Sequence, residues 1–158
     1  MENNEKIVQW NTGLRIRHMA HSIAFSNNKK YEIILGLCAT VASALVGTTV
    51  FASFLESDNK NMIILAGCFS ILATILTTAN TYLKFGETAE KHNQALAAFG
   101  SLRREFEVNF VLDPHKNPNP EKLNEFSQKW AEQEKTAPAF SQKLYNECYR
   151  RVHGKKPA

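Results

Sequence analysis

Two long stretches of this 158-residue chain hold no charged side chain. Ile33 to Leu55 runs for 23 residues without a charge or a proline, and Met62 to Leu83 for 22 more without a charge. Motifs for chemistry are missing as well. No glycine-rich phosphate loop, dinucleotide fingerprint, HExxH or G-x-S-x-G elbow occurs, and these are the spacings through which short motifs position a nucleotide, a metal or a nucleophile. Cysteine is scarce: Cys38, Cys68 and Cys148 lie far apart, with neither a disulfide framework nor a metal-ligand spacing. In an antiparallel hairpin Cys38 and Cys68 would sit towards opposite faces, too distant to pair within one chain. The reading is therefore of a protein that is not an enzyme and needs no cofactor or metal. There are no internal repeats and no low-complexity segments.

What is present begins with those two apolar blocks. A bilayer core is crossed by about 20 apolar residues at ~1.5 Å rise each, so each block is long enough to span with some tilt. The first starts beyond residue 30 and is too long for a cleavable signal peptide. Absence of charge inside either span argues against a proton relay or an ion-coupled transporter, which need ionisable groups at membrane depth. The formal net charge of +4 and pI of about 9.0 are explained by basic flanks around the spans, without nucleic acid as a partner. Arg15, Arg17, Lys29 and Lys30 precede the first span; Lys84, Lys91, Arg103 and Arg104 follow the second; the connecting segment Glu56–Asn61 holds one lysine. The positive-inside bias then puts both termini in the cytoplasm and the loop outside.

The fold expected is all-α: a two-helix transmembrane hairpin with an N-terminal amphipathic helix and C-terminal cytoplasmic helices. Residues 4–28 carry Ile7, Leu14, Ile16, Met19, Ile23 and Phe25 among polar positions, an imperfect amphipathic pattern weakened by Gly13 that suits either the membrane surface or the face of a cytoplasmic helix. Past the second span, Phe85, Ala89, His92, Leu96, Phe99, Phe106 and Phe110 follow spacings of three, four and seven, the seam of a helix packed on a helix. Glu87 and Lys91 stand four apart in the favourable order on the opposite face. One long helix is thus expected from the second span into the cytoplasm. The run Asp113–Pro120, with three prolines, ends it. Asn119–Pro120 then reads as N-cap and first turn of a short helix to about Lys135, with Leu123, Phe126 and Trp130 as its apolar edge. After Thr136–Ala137–Pro138 a last helix carries Phe140, Leu144, Cys148 and Val152 at spacings of four. The division expected is residues 1–110 as a two-transmembrane core, with spans at about 33–55 and 62–83 and a cytoplasmic helix at 84–110, and residues 111–158 as a helical tail.

Within the spans, small and hydroxyl residues form stripes. Gly36, Thr40, Ser43 and Gly47 lie on one face of the first; Gly67, Ser70, Thr74, Thr77 and Thr81 lie on one face of the second. Small residues allow helices to approach closely in lipid, and hydroxyls can bond across the contact. They are candidates for packing or, in an assembly of several hairpins, for lining a pore. His18 and His21, three apart, read as surface histidines, and His92 as a packed histidine in an apolar seam.

The stretch from Tyr31 to Glu107 resembles a known family. Its marks are Leu45-Val46-Gly47-Thr48-Thr49-Val50-Phe51 late in the first span and the exit Leu83-Lys84-Phe85-Gly86-Glu87-Thr88-Ala89-Glu90-Lys91-His92, followed by Phe99-Gly100-Ser101-Leu102-Arg103-Arg104-Glu105. This is similar to the SLATT family, two-transmembrane effector domains associated with nucleotidyltransferases and SLOG sensor domains in bacterial conflict systems. Phe99 stands where many members carry tyrosine. The resemblance implies an anti-phage effector in the inner membrane that oligomerises into a pore when a partner or a nucleotide second messenger triggers it. His92, Phe99, Arg103 and Arg104 are then the candidates for coupling that signal. An alternative role is a membrane anchor or scaffold that recruits a sensor or enzyme through the cytoplasmic helices.

Overall fold

The computed structural model describes residues 2–55, 60–112 and 119–154, and no strand occurs among the described residues. Five helices follow in order: α1 (Glu2–Leu55), α2 (Lys60–Leu83), α3 (Phe85–Phe106) with a π-helical turn at Glu107–Val111, α4 (Pro120–Thr136) and α5 (Gln142–His153). Most of the connecting segment at 56–61 and of the proline run at 113–120 falls outside the described residues. The chain forms two units: residues 27–87, and the residues up to Ser26 together with those from Thr88 onward.

The first unit is an apolar hairpin. Its helices run antiparallel, since Tyr31 near the start of the first span lies against Phe85 just past the second, with ring centroids 5.5 Å apart. Ala42 and Ala66 are buried in the hairpin, and Ala39, Ala73, Leu35, Phe69 and Leu76 are half-buried. Large side chains point outward. Ile33, Leu37, Ile63, Ile64, Ile71 and Ile75 are each more than half exposed, and only 11% of each most apolar window is buried. Leaving so many such side chains in water, at ~1.5–3 kcal/mol each, would cost more than a small fold's whole stability. Lipid removes that cost.

α1 departs from expectation by its continuity. The amphipathic segment and the first span are one helix of 54 residues. No proline interrupts residues 2–55, and Gly13 does not break the helix: a Cβ there would stand 3.1 Å from the Trp130 ring, so packing accounts for it. The helix expected to run unbroken out of the second span is interrupted instead. Lys84 adopts a left-handed backbone with φ 47°, ending α2 and re-aiming the chain into α3. Two residues on, a Cβ on Gly86 would lie 2.6 Å from Glu32 Oε1. A side chain at position 86 would push aside the carboxylate end of Glu32, a shift that glycine avoids.

The second unit is a polar four-helix bundle built from the N-terminal half of α1 with α3, α4 and α5. One core gathers Leu14, Phe99, Leu102, Phe106, Phe110 and Phe126, with Trp10 and Trp130 at its edge. Phe106 and Phe126 approach to 5.0 Å between centroids, and Trp10 meets Trp130 edge-on at 5.7 Å. A second core holds Ile16, Ala20 and Cys148, packed by Met19, Ile23 and Leu144. Burial raises the pKa of the Cys148 thiol. Both short helices start where their caps dictate: the Asn119 side chain accepts from the Glu121 N–H at 2.9 Å with Pro120 in the first turn, and Ser141 Oγ accepts from the Leu144 N–H. Gly154, with φ 66°, closes α5.

Candidate functional site

The residues singled out for signal coupling lie on α3, which contributes one of the bundle's two buried polar side chains among the described residues. His92 is buried, and so is His21 from α1. His18 and His21 were expected at the surface; His18 is half-buried, and His21, one turn later, lies in the core. The His21 and His92 imidazoles meet Nδ1 to Nδ1 at 3.0 Å. One must donate and the other accept, so the neutral pair takes opposite tautomers. Phe99 stacks flat on His21 at 5.3 Å and 11°, while Phe140 meets it edge-on at 5.1 Å. Burial, then His92, then Arg17 and His18 push the pKa of His21 down to about 4. Burial also lowers that of His92. Both are neutral near pH 7.

This pair joins α1, α3 and the segment entering α5. Beside it a cleft of about 400 Å³ is lined by Arg17, His21, Phe99, Glu134 and Phe140. Arg17 forms an ion pair with Glu134 and lies over the Trp130 ring at 5.2 Å, tying α1 to α4. Arg103 and Arg104 belong to another face. Arg103 pairs with Glu107 at 2.9 Å, and both arginines act on His18, whose pKa is lowered by burial and then by their charge. The four coupling candidates therefore divide into a buried aromatic–histidine cluster and an exposed cationic group. His21 and Phe140 were not distinguished by sequence; the spacing of His18 and His21 was the one available signal.

The small-residue stripes turn away from the hairpin contact. Gly67, Ser70, Thr74, Thr77 and Thr81 are all exposed, as are Thr40, Ser43 and Gly47; Gly36 is half-buried. A Cβ added at Gly36, Gly47 or Gly67 would meet nothing within 4 Å. Several hydroxyls are satisfied by their own helix: Thr40 donates to the Gly36 carbonyl, Ser43 to Ala39, Thr74 to Ser70 and Thr81 to Thr77. No group of three or more His, Cys, Asp or Glu suited to a metal occurs among the described residues.

A hairpin of two helices long and apolar enough to cross a membrane, joined to a polar helical bundle, is the architecture of a two-transmembrane domain. The chain belongs to the SMODS and SLOG-associating 2TM effector domain family 4, whose model matches residues 16–147. That match takes in the hairpin, the histidine pair and the first half of α5. No curated protein and no solved structure matches the chain.

Proposed function

We propose that the protein is a non-enzymatic effector of a bacterial anti-phage system, which assembles in the inner membrane into an oligomeric pore when triggered. The observation that carries this reading is the pair of outward stripes. Glycine within a helix costs about 1 kcal/mol relative to alanine, yet Gly36, Gly47 and Gly67 have no neighbour in their own chain that requires the missing side chain. Close approach by helices of further copies gives them a purpose. Thr74 and Thr77 would then line the path. A nucleotidyltransferase or SLOG sensor, or the nucleotide messenger of such a partner, would supply the trigger, in keeping with the associations in the family's description. The bundle, with termini in the cytoplasm, would receive it and pass it through α3 and Lys84 into α2.

Activation in cells carrying the trigger system should collapse the membrane potential, read with a potential-sensitive dye. Thr74→Leu or Thr77→Leu should cut that leak severalfold at unchanged protein level. A potential that holds under full activation would reject the pore.

One observation favours a second reading, a membrane anchor that recruits a sensor or enzyme. Because the stripe hydroxyls named above already bond to backbone carbonyls, they are comfortable in lipid without a water-filled path. In that case Thr74→Leu would leave function intact, and charge reversal at Arg103 or Arg104 would abolish it by losing the partner.

A further inference from the structure

A face of the polar bundle distinct from the histidine pair concentrates positive charge that the chain neutralises only in part. α1 and α3 run antiparallel there, since Trp10 lies near Phe106 and His21 near His92. Between those contacts His18 lies on α3 at Gly100, where a Cβ would stand 3.3 Å from the imidazole. Arg103 and Arg104 occupy the next turn of α3. Arg15, one turn before His18, falls at their level. Arg15 and Arg104 are exposed and make no ion pair among the described residues, whereas Arg103 has Glu107. Three arginines against one carboxylate leave this face net positive, which suits it to an anion.

We propose that the face of α1 and α3 around Gly100, carrying Arg15, His18, Arg103 and Arg104, binds a compact anion bearing two adjacent phosphate groups. Guanidinium forks match phosphate oxygens two at a time. The cations occupy one turn of each helix, and the same face continues with Asn11 and Ser22 on α1 and with Asn93 and Glu107 on α3. An extended acidic helix would find no further cation along that face, whereas a diphosphate would need none beyond these. The depressed proton affinity of His18 belongs to the same picture, because an anion that balances Arg103 and Arg104 would restore it. The site stands whether or not the hairpin conducts. A diphosphate could be carried by a soluble nucleotide or by a lipid headgroup, and the chemistry recognised is the same.

The test uses the full chain in nanodiscs of zwitterionic lipid, with histidine ring signals followed by NMR. Inorganic pyrophosphate, added at constant ionic strength, should shift the His18 signals saturably and raise their titration midpoint by roughly half a pH unit or more. Arg15→Gln with Arg104→Gln, both exposed positions, should weaken that binding at least about tenfold while the His21 and His92 signals stay in place. Nanodiscs containing anionic lipid distinguish the sources: a His18 shift already present there, to which pyrophosphate adds nothing, assigns the site to headgroups. No saturable shift with either probe, or an equal shift with chloride, overturns the proposal. These readings do not depend on the leak assay, so either proposal can fail alone.

Discussion

His21 enters the folded state with its proton affinity depressed, and the sign of the consequence follows. A histidine whose folded pKa lies near 4 against an unfolded value near 6.5 binds fewer protons when folded. Its contribution is therefore complete above about pH 6.5 and is lost as the pH falls from there towards 4. His92, lowered in the same direction, adds to the effect, and protonating both rings would set two positive charges at a 3.0 Å contact. Thermal unfolding in detergent, followed by circular dichroism, should show a melting temperature that is flat above pH 7 and falls between pH 6.5 and 4. The loss should be on the order of 2 kcal/mol. His21→Leu with His92→Leu should flatten that dependence. His21→Ala alone should cost about 1–3 kcal/mol at pH 7, since it strands the His92 ring nitrogen and removes the stack on Phe99. Sequence could place His92 in a seam, because the seam is a local periodicity. It could not tell His21 from His18. Both lie on one broad face of α1, and only the positions of α3 and Phe140 decide which ring goes under.

Elements were legible where their ends are set by neighbouring residues. Asn119–Pro120 announces α4 because an amide side chain and a ring with fixed φ meet the needs of a helix start, and the structure uses both. Asn119→Ala should accordingly lower stability by about 1 kcal/mol, measurable as a small drop in melting temperature. The ends of α1 and α2 were less legible. A polar amphipathic segment beside an apolar span looks like two elements, yet helical hydrogen bonding does not depend on that change of surroundings, so α1 passes through. The break at Lys84 has the opposite character: nothing in lysine asks for a left-handed backbone, and Gly86, the obvious breaker, lies inside α3. Beside the break the Glu32 carboxylate lies against Gly86. A lysine in that conformation costs about 1–2 kcal/mol relative to glycine, partly offset by the freedom glycine adds to the unfolded chain. Lys84→Gly should thus raise the melting temperature slightly. Gly86→Val should lower it, because the Glu32 carboxylate must be displaced.

At the scale of the whole molecule the apolar surface dominates. A hairpin that leaves Ile63, Ile64, Ile71 and Ile75 uncovered is stable only where its surroundings are as apolar as it is, and a second copy can then compete with lipid only through shape. Gly67→Leu tests that competition cleanly, because the added side chain points into space that the chain does not use. The variant should insert and melt as the parent does, while cross-linked oligomers in membranes fall severalfold. An unchanged oligomer ladder would remove the outward stripe from the contact between copies. Orientation governs whether such an assembly can receive a signal from inside the cell, and the basic flanks predict it. With Cys38, Cys68 and Cys148 replaced by serine or alanine, a single cysteine at Asn61, an exposed position at the start of α2, should react with an impermeant thiol reagent added to spheroplasts. A single cysteine at Lys143, exposed on α5, should react only after the membrane is opened. The reverse pattern would place the polar bundle outside, where no cytoplasmic partner could reach it, and both the pore and the anchor readings would lose their trigger.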